Sequence, residues 1–566
     1  MTEGENKSDI WLCGGTVVNL FTMTLEDKDV LISDGEIQGL YDRQEREALQ
    51  TEVQEIIELQ GAYLAPGLID GHMHIESTMV TPAALAQVIV PRGTTSIIAD
   101  PHEIANVLGL PAIVGLSAMT KQLPLDIFFM IPSCVPATPL ETAGAELQVE
   151  DIQWLFEHLP QAIGLAEVMN YPAVIAKEPS IMAKIEEAKR RNLPIDGHAP
   201  ALSGDDLQRY ISAGISTDHE CVTAQEGWEK LKRGIHLLIR EGSAAKNLTQ
   251  LASCLTTESA DRISFCTDDR HPEDLLVEGH LDHLLRQAVK VGIDPLLALK
   301  ACSWTTARHY GLSRRGAIAP GYLADLVVFE DLENFQASLV IKKGTVVARK
   351  GLLVEERGDP SIDPIFTNTV RLPDIKGKLV PSIDSRKFVR VIGLQKNQIT
   401  TSYEEAKAKD IGPAQDLLYA AVIERHGKKG SIGQAIVRGL GLQKGALAST
   451  IAHDSHNLIV IGTSAEDMEK ACQAVAETGG GIAVVVDGEL QARLPLPIAG
   501  LMSTATVEEV AVELKKIHQV LWEAGCTISS PVMTLSFLAL PVIPELKITD
   551  QGLVDVRTFQ FLSLEV

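Results

Sequence analysis

Two histidines, His72 and His74, stand one residue apart in "LIDGHMHIESTMVTP", directly behind the apolar run "YLAPGLI". Alternate residues of a strand point to the same face, which places the two Cα atoms about 6.5 Å apart. From that separation both imidazoles can reach one metal ion. Taken alone the pair is a weak signal, because ordinary surface or core histidines also occur at this spacing.

Four further candidate ligands each end a short apolar run later in the chain. Glu167 ends "AIGLAE", His198 ends "LPIDGH", His219 ends "GISTDH" and Asp268 ends "RISFCTD". Together with the first pair they exceed what one ion usually takes from protein, and they suit two divalent ions that share a carboxylate. Imidazole with carboxylate favours Mn, Fe or Zn over Ca or Mg. Satisfied polar groups in loops are the alternative, which does not explain why most of the runs end in a ligand type.

The elements that must position these side chains lie between residues 66 and 316. Eight apolar runs end in polar residues there: "GLIDGHMH", "TTSIIADPHE", "LDIFFMIPSC", "AIGLAEVMN", "LPIDGHAP", "GISTDHE", "GIHLLIREGS" and "RISFCTDDR". Helix-like segments lie between them, such as 180–192 and 204–214. Eight strand–helix units over about 250 residues predict a (β/α)8 TIM barrel, whose catalytic groups lie at the carboxyl ends of its strands. A doubly wound open sheet is the alternative that alternation also allows.

The barrel is flanked by segments of a different pattern. Short β-branched stretches with Gly and Asp-Gly turns fill 10–64 and return at 317–352, which predicts a small β-sandwich domain built from residues 1–65 and 317–360. Residues 353–375 are charged and contain prolines, as a linker does. Residues 376–566 mix strands and helices and predict a separate C-terminal α/β or α+β domain. Its glycine-rich "GSIGQAIVRGLGLQKGA" matches no phosphate-binding motif and is interpreted as turns.

Composition narrows the classes of partner. A length of 566 residues predicts two or three domains, and a formal net charge of −25 disfavours nucleic acid and membrane surfaces as partners. Eight scattered cysteines without a CxxC pair suit a reducing cytoplasm. Neither a signal peptide nor an apolar run of about 18–20 residues is visible, so a soluble cytoplasmic protein is expected.

Several of these motifs resemble a known family. "APGLIDGHMHIES", "ADPHEIANV", "AEVMN", "DGHAP", "TDHE" and "CTDDRHP" closely resemble adenine deaminases of the amidohydrolase superfamily, and "AHDSHNLIVIG" extends the resemblance into the C-terminal domain. "YLAPGLID" and "GAIAPGYLADLVVF" resemble the usual frame of the superfamily. The resemblance implies hydrolytic deamination of adenine to hypoxanthine and ammonia by a metal-bridged hydroxide, a purine-salvage reaction of a homo-oligomer whose partner is the small molecule adenine.

The resemblance also implies a division of the ligands. His72, His74 and Asp268 would hold one ion, His198 and His219 the other, and Glu167 would bridge the two. Many superfamily members bridge with a carboxylated lysine instead, and no lysine ends the fourth run here. Two divalent ions per subunit are therefore expected, with Mn²⁺ first and Fe²⁺ or Zn²⁺ as alternatives.

Proton transfer would fall to Asp268, acting as general base towards the hydroxide and then as acid towards the leaving amine. Its neighbour Asp269 is the alternative for that role. Arg240 and Glu241 end the seventh run, where they would either contact substrate or form a salt-linked loop.

Two further motifs each allow more than one interpretation. In "ADPHEIANV", Asp100, His102 and Glu103 would orient ligands or contact substrate. The same stretch also suits a helix start, with Asp100 as N-cap and Pro101 at the first helical position. "HDSHN" at 453–457 would bind metal, or would lie near the active site or a subunit contact.

Three other functions are compatible with some of these motifs. Another amidohydrolase, acting on a cyclic amide or an amino sugar, shares the ligand set, although a cyclic amidase favours a bridging lysine. An adenosine-deaminase-like enzyme would carry a glutamate after the fifth-run histidine, where "GHAP" has Pro200. A non-enzymatic scaffold on the same fold would have lost ligands, and all six candidates are present.

Overall fold

The computed structural model describes residues 10–49, 53–355, 362–395 and 398–566. At its centre are eight parallel strands, one in each predicted apolar run. Their bounds are Leu68–Met73, Thr94–Ala99, Asp126–Ile131, Ala162–Val168, Ile195–Gly197, Thr217–Asp218, His236–Arg240 and Ile263–Cys266. We refer to them as the first to eighth barrel strands.

The eight strands close into a ring. The first five form one sheet and the last three another. At one seam the Asp268 N–H donates to the His72 carbonyl at 3.0 Å, and at the other the Ser216 N–H donates to the Ile195 carbonyl at 2.9 Å. The barrel prediction is confirmed and the open-sheet alternative is wrong. Closure brings the carboxyl ends of all eight strands to one mouth.

Helices surround the barrel. The two predicted at 180–192 and 204–214 form as Pro179–Arg190 and Gly204–Ala213. The others are Pro82–Ile89, His102–Leu108, Leu110–Met119, Val149–His158, Tyr171–Ala176, Ala224–Lys232, Leu248–Leu251, Pro272–Val277, Leu281–Lys290, Pro295–Ala301 and Trp304–His309.

Segments before and after the barrel share two packed sheets. One sheet has the strands Glu36–Tyr41, Asp29–Ser33, Ile10–Cys13 and Glu55–Glu58 in spatial order. The other has Leu352–Leu353, Thr345–Arg349, Ala337–Lys342, Leu326–Phe329, Tyr63–Pro66, Thr16–Asn19 and Thr24–Asp27. Leu326–Phe329 pairs antiparallel with Tyr63–Pro66, so the two ends of the barrel segment meet in one sheet. A helix, Arg43–Leu49, completes this part.

The C-terminal part is built on a mostly antiparallel eight-stranded sheet, so it is α+β. Its strands in spatial order are Thr401–Lys407, Phe388–Leu394, Ile432–Arg438, Leu417–Ile423, Leu458–Gly462, Ala446–Ser449, Gly481–Val486 and Glu489–Pro495. Leu546–Thr549, Gly552–Asp555 and Gln560–Leu562 form a smaller sheet, and the helices are Ala465–Glu477, Val507–Glu523 and Pro531–Phe537. None of the helices in the described ranges has the length and apolar character needed to cross a membrane.

Two expectations are corrected here. The glycine-rich segment is not a run of turns, because Ile432–Arg438 is a strand inside the large sheet. Gly433 fits because a Cβ there would come 1.9 Å from the Thr549 carbonyl oxygen, so the glycine permits two backbone segments to approach closely.

The segment 353–375, predicted as a linker, also packs against the barrel. Phe366 is fully buried against Gly115 of a barrel helix, whereas residues 356–361 of the segment lie outside the described residues.

Candidate metal centre

The predicted ligands meet at the mouth of the barrel. His72 lies in the first strand and Glu167 in the fourth. His74, His198 and His219 directly follow strand ends, and Asp268 lies two residues beyond the end of the eighth strand. Asp70 joins the first strand to the eighth, since it accepts hydrogen bonds from the Thr267 N–H at 3.1 Å and the Thr267 hydroxyl at 2.6 Å. The local frame of the site is therefore fixed by a buried carboxylate below it.

One half of the cluster consists of His72, His74 and Asp268. The two Nε2 atoms lie 3.2 Å apart, and Asp268 Oδ1 lies 3.7 Å from His72 Nε2 and 3.2 Å from His74 Nε2. The Nδ1 of His74 lies 3.1 Å from the Asp100 carbonyl oxygen. Because that carbonyl can only accept, Nδ1 carries the proton and Nε2 presents a lone pair to the cluster.

Glu167 faces both halves. Its Oε2 lies 2.7 Å from His198 Nδ1 and 3.3 Å from His219 Nε2. Its Oε1 lies 3.5 Å from His74 Nε2 on the other side. One carboxylate thus directs one oxygen to each group of imidazoles.

The electrostatics of the cluster call for a cation. Burial alone would lower the pKa of His74 and of His219, but the hydrogen bonds to Asp268 and to Glu167 outweigh it and raise both values well above the ordinary one. The pKa of Glu167 is held well below its usual range, because the charge and hydrogen bond of His198 outweigh burial. Buried carboxylates that draw protons onto neighbouring imidazoles would bind a metal ion in their place.

The ligand atoms of the cluster also match a metal ion in their spacing and in their chemistry. Three overlapping groups have ligand atoms within 4.8 Å of one another: His72, His74 and Asp268; His72, Glu167 and His219; and His198, His219 and Glu220. Imidazole and carboxylate in convergent sets of three are ligands for a transition-metal ion. The buried cluster can therefore hold divalent metal.

Glu220 is a site residue that the sequence interpretation missed. Its Oε1 lies 3.4 Å from His219 Nε2, and its carboxylate contacts the Arg240 guanidinium. Arg240 Nη1 also donates to Asp268 Oδ2 at 2.8 Å. Arg240 is thus salt-linked between two carboxylates of the site, and because it also lines the cavity, the predicted substrate contact stays a prediction. "TDHE" places Glu220 next to a ligand, but only the guanidinium reveals its position.

The residues that follow the second barrel strand add a further set of polar side chains beside the cluster. His102 Nδ1 lies 3.2 Å from Asp100 Oδ2 and 3.5 Å from Glu167 Oε1. The helix begins at His102 with Pro101 as N-cap, one residue later than the helix-start alternative placed it, and Asp100 Oδ1 accepts a hydrogen bond from the His102 N–H at 3.0 Å. Glu103 is buried, and the Ser77 hydroxyl lies 2.8 Å from its Oε1 and 2.5 Å from Asp269 Oδ1.

Glu241, by contrast, contacts the loop rather than the cluster. Its Oε2 accepts from the Leu248 N–H at 3.1 Å.

The segment 453–457, "HDSHN", reaches the barrel from the C-terminal part. Two of its residues approach polar groups near the metal cluster: Asp454 Oδ1 lies 3.7 Å from His102 Nε2, and His456 Nε2 lies 3.5 Å from Glu103 Oε2. The other two hold the segment to the loop after the third strand: the Ser455 hydroxyl donates to Glu141 at 2.6 Å, and the Asn457 amide donates to the Thr142 carbonyl at 2.9 Å. The His456 Nδ1 accepts from the Ala452 N–H, so its Nε2 carries a proton. Glu103, His453 and His456 also bring possible ligand atoms within 4.8 Å of one another, so metal binding by this segment stays a prediction, while its contacts place it beside the active site.

A cavity lies between the cluster and this segment. Its floor includes Glu167, His198, His219 and Asp268, and Asp269 and Glu103 line its wall. The C-terminal part supplies a mainly apolar roof of Ile399, His453, Asp454, Phe537, Leu540 and Ile543. His453 stacks on Phe537 with ring centroids 4.6 Å apart. A flat apolar ring with polar edges suits such a space.

Comparison with known proteins agrees with the geometry. Residues 63–347 match the amidohydrolase family model, and residues 394–560 match the model of the adenine deaminase C-terminal domain. The chain is 44% identical to an adenine deaminase of Desulfatibacillum aliphaticivorans over 99% of this chain and 98% of the relative. It is 43% identical to an adenine deaminase of Kosmotoga olearia over 100% and 98%. A crystal structure of an adenosine deaminase from Xanthomonas campestris is 16% identical, with a TM-score of 0.47 over 62% of this chain and 95% of that one.

Proposed function

The chain belongs to the adenine deaminase family within the amidohydrolases, and on that basis we propose that it hydrolyses adenine to hypoxanthine and ammonia. The substrate rests on relatives similar over the whole chain, including the C-terminal domain. The chemistry rests on one observation above the others: Glu167 directs one carboxylate oxygen to each half of a buried His and Asp cluster. That is the arrangement a pair of hydrolytic metal ions needs.

Two ions are proposed, one held by His72, His74 and Asp268 and one by His198 and His219, with Glu167 shared. Mn²⁺ is the proposed ion, with Fe²⁺ or Zn²⁺ as alternatives, because the ligands are imidazoles and carboxylates without a thiolate. Divalent ions held there would supply Lewis acidity and a hydrolytic nucleophile near neutral pH.

In the proposed reaction an oxygen nucleophile adds to C6 of adenine, and the bond from C6 to the amino nitrogen then breaks. Asp268 is proposed to take the proton of the nucleophile and to give it to the departing amine. Its Oδ1 faces the imidazoles and its Oδ2 is held by Arg240, so the carboxylate has a fixed direction. Asp268 has φ of 55°, a left-handed backbone that turns its side chain back towards the mouth.

Burial alone would raise the pKa of Asp268, but the His74 hydrogen bond and the Arg240 charge outweigh it and keep the pKa well below its usual range. The carboxylate is therefore ionised at neutral pH, as a general base must be. Asp269 remains the alternative base, since it lines the same cavity.

Further parts of this proposal concern the chain as a whole. The domain division is proposed as 1–65 with 317–360, 66–316 and 376–566. A reducing cytoplasm is proposed, supported by eight buried cysteines that form no disulfide. A homo-oligomer is proposed by analogy, and size-exclusion chromatography with light scattering would measure it.

The test is direct. Purified protein reconstituted with Mn²⁺ should convert adenine to hypoxanthine, followed by the change in ultraviolet spectrum and by ammonia release. The metal content of the same sample gives the number of ions per chain. Turnover of a cyclic amide with no activity on adenine would refute the proposed substrate and favour another amidohydrolase activity.

A further inference from the structure

We propose that Asp454, supplied by the C-terminal domain, accepts a hydrogen bond from the imidazole N–H of the purine and thereby selects the free base. This inference rests on the proposed function, because it assumes that adenine occupies the cavity. It assigns a substrate-binding residue that lies outside the barrel and outside the metal cluster.

Asp454 has the position that this role needs. It lines the cavity, is 3% exposed, and its Oδ1 lies 3.7 Å from His102 Nε2. The other face of the His102 ring has Nδ1 at 3.5 Å from Glu167 Oε1, so one imidazole separates Asp454 from the shared ligand.

The second oxygen of the same carboxylate has no partner. Within the described ranges of the chain, the buried Oδ2 of Asp454 makes no hydrogen bond. A buried carboxylate oxygen without a donor is unfavourable, so a donor from a ligand in the cavity would satisfy it. Among the other roof side chains, Ile399, Phe537, Leu540 and Ile543 are apolar. His453 has a ring nitrogen that could also accept, but its Nδ1 lies 3.7 Å from Asp454 Oδ1 and it carries no negative charge to pair with a donor.

The chemistry of adenine decides which group would face this oxygen. When C6 lies over the cluster, the amino group stays at the floor and the imidazole ring points towards the roof. The free base has one N–H on that ring, whereas its unprotonated ring nitrogens only accept. A carboxylate also only accepts, so it pairs with the ring N–H and with no other atom at that end. A nucleoside has lost this N–H to its sugar.

The comparison of adenine with 9-methyladenine tests this assignment, because methylation removes the ring N–H and leaves C6 and its amine unchanged. We would measure kcat and KM for both purines with the Mn²⁺-loaded wild type, Asp454→Asn, Asp454→Ala and Asp374→Asn. Asp374 is an exposed aspartate whose side chain is 74% accessible, so it makes the same charge change away from the cavity. Metal content and thermal melting are recorded for every variant.

Wild type should prefer adenine by at least about 100-fold in kcat/KM, since a site built around a hydrogen bond rejects an analogue that lacks the donor. Asp454→Asn keeps an oxygen acceptor but loses the charge, so its loss on adenine should be smaller than that of Asp454→Ala. For Asp454→Ala the preference should shrink by at least about 10-fold, because adenine loses a partner and the methyl group gains room. Asp374→Asn should keep the wild-type preference.

Equal losses on both purines at unchanged metal content would overturn the assignment, since Asp454 would then act through His102 or through packing. A wild type that accepts 9-methyladenine as readily as adenine would overturn it as well, even if a variant failed to fold. Absence of wild-type activity on either purine would refute the proposed function itself, and this inference with it.

Discussion

Replacing Glu167 by glutamine tests the shared carboxylate most sharply. Glutamine has nearly the same shape but only one oxygen, and its NH2 group donates rather than accepts. Because Oε1 faces His74 and Oε2 faces His198 and His219, the amide can present its oxygen to only one half of the cluster. The other half would meet an N–H group, which cannot bind a cation.

This asymmetry sets the expected loss of metal affinity in Glu167→Gln. Changes to groups that merely support a ligand already weaken metal binding by about 10–100-fold, so loss of a direct carboxylate should exceed about 100-fold, or about 2.7 kcal/mol. Metal content should therefore fall from the proposed two ions to at most one per chain after dialysis. Turnover of adenine should fall at least as steeply, because the proposed mechanism uses both ions to supply the nucleophile.

The assay is metal analysis after dialysis, paired with adenine turnover and thermal melting. Glu141→Gln is the matched control for metal content and melting. Burial raises the pKa of Glu141 to about 8, so this carboxyl is already mostly neutral at pH 7, and glutamine closely resembles its protonated form. Glu141 contacts Ser455 rather than the cluster. The control should keep wild-type metal content.

Unchanged metal content and turnover in Glu167→Gln would refute the shared role. An equal loss of metal in both variants would refute the explanation as well, because it would trace the effect to the packing of the C-terminal domain.

Two further predictions concern a proton and a buried amine. Asp268→Asn should lower turnover by about 10²–10⁴-fold in protein that still folds, because it removes the proposed base and a proposed metal ligand together. Metal content is measured beside turnover, and retained activity would move the base role to Asp269. Burial lowers the pKa of Lys547 to about 7, and its Nζ donates to the Ile399 and Phe537 carbonyls, which carry no charge. The unfolded chain then binds the extra proton between pH 7 and the ordinary value of 10.5, so stability should rise with pH across that window by up to about 1.4 kcal/mol per unit. Denaturant unfolding at pH 7, 8 and 9 should show this slope in wild type but not in Lys547→Met, and equal slopes would contradict it.

The ligand set could be predicted from sequence because a strand end is a local feature. Each candidate follows a short apolar run, and in a barrel all such ends meet at one mouth. His72, Glu167, His198 and Asp268 therefore needed only the alternation of runs and helices.

Errors arose where a local signal had two meanings. The glycines in 430–446 suggested turns, but Gly433 lies in a strand. A glycine is needed at that position because a neighbouring backbone comes too close for any side chain. The charged segment 353–375 looked like a linker, yet Phe366 is buried in the barrel helices. Whether an apolar residue in a polar segment is buried depends on the surface that it meets.

The order of residues is enough to predict the barrel and the groups that could bind metal, since both depend on periodicity and residue type near strand ends. The positions of Glu220 against Arg240 and of Asp454 beside the cavity follow from the folded chain alone. The Ser455 contact with Glu141 joins residues 314 positions apart. Packing of separate chain segments creates such contacts, and no spacing along the chain encodes them.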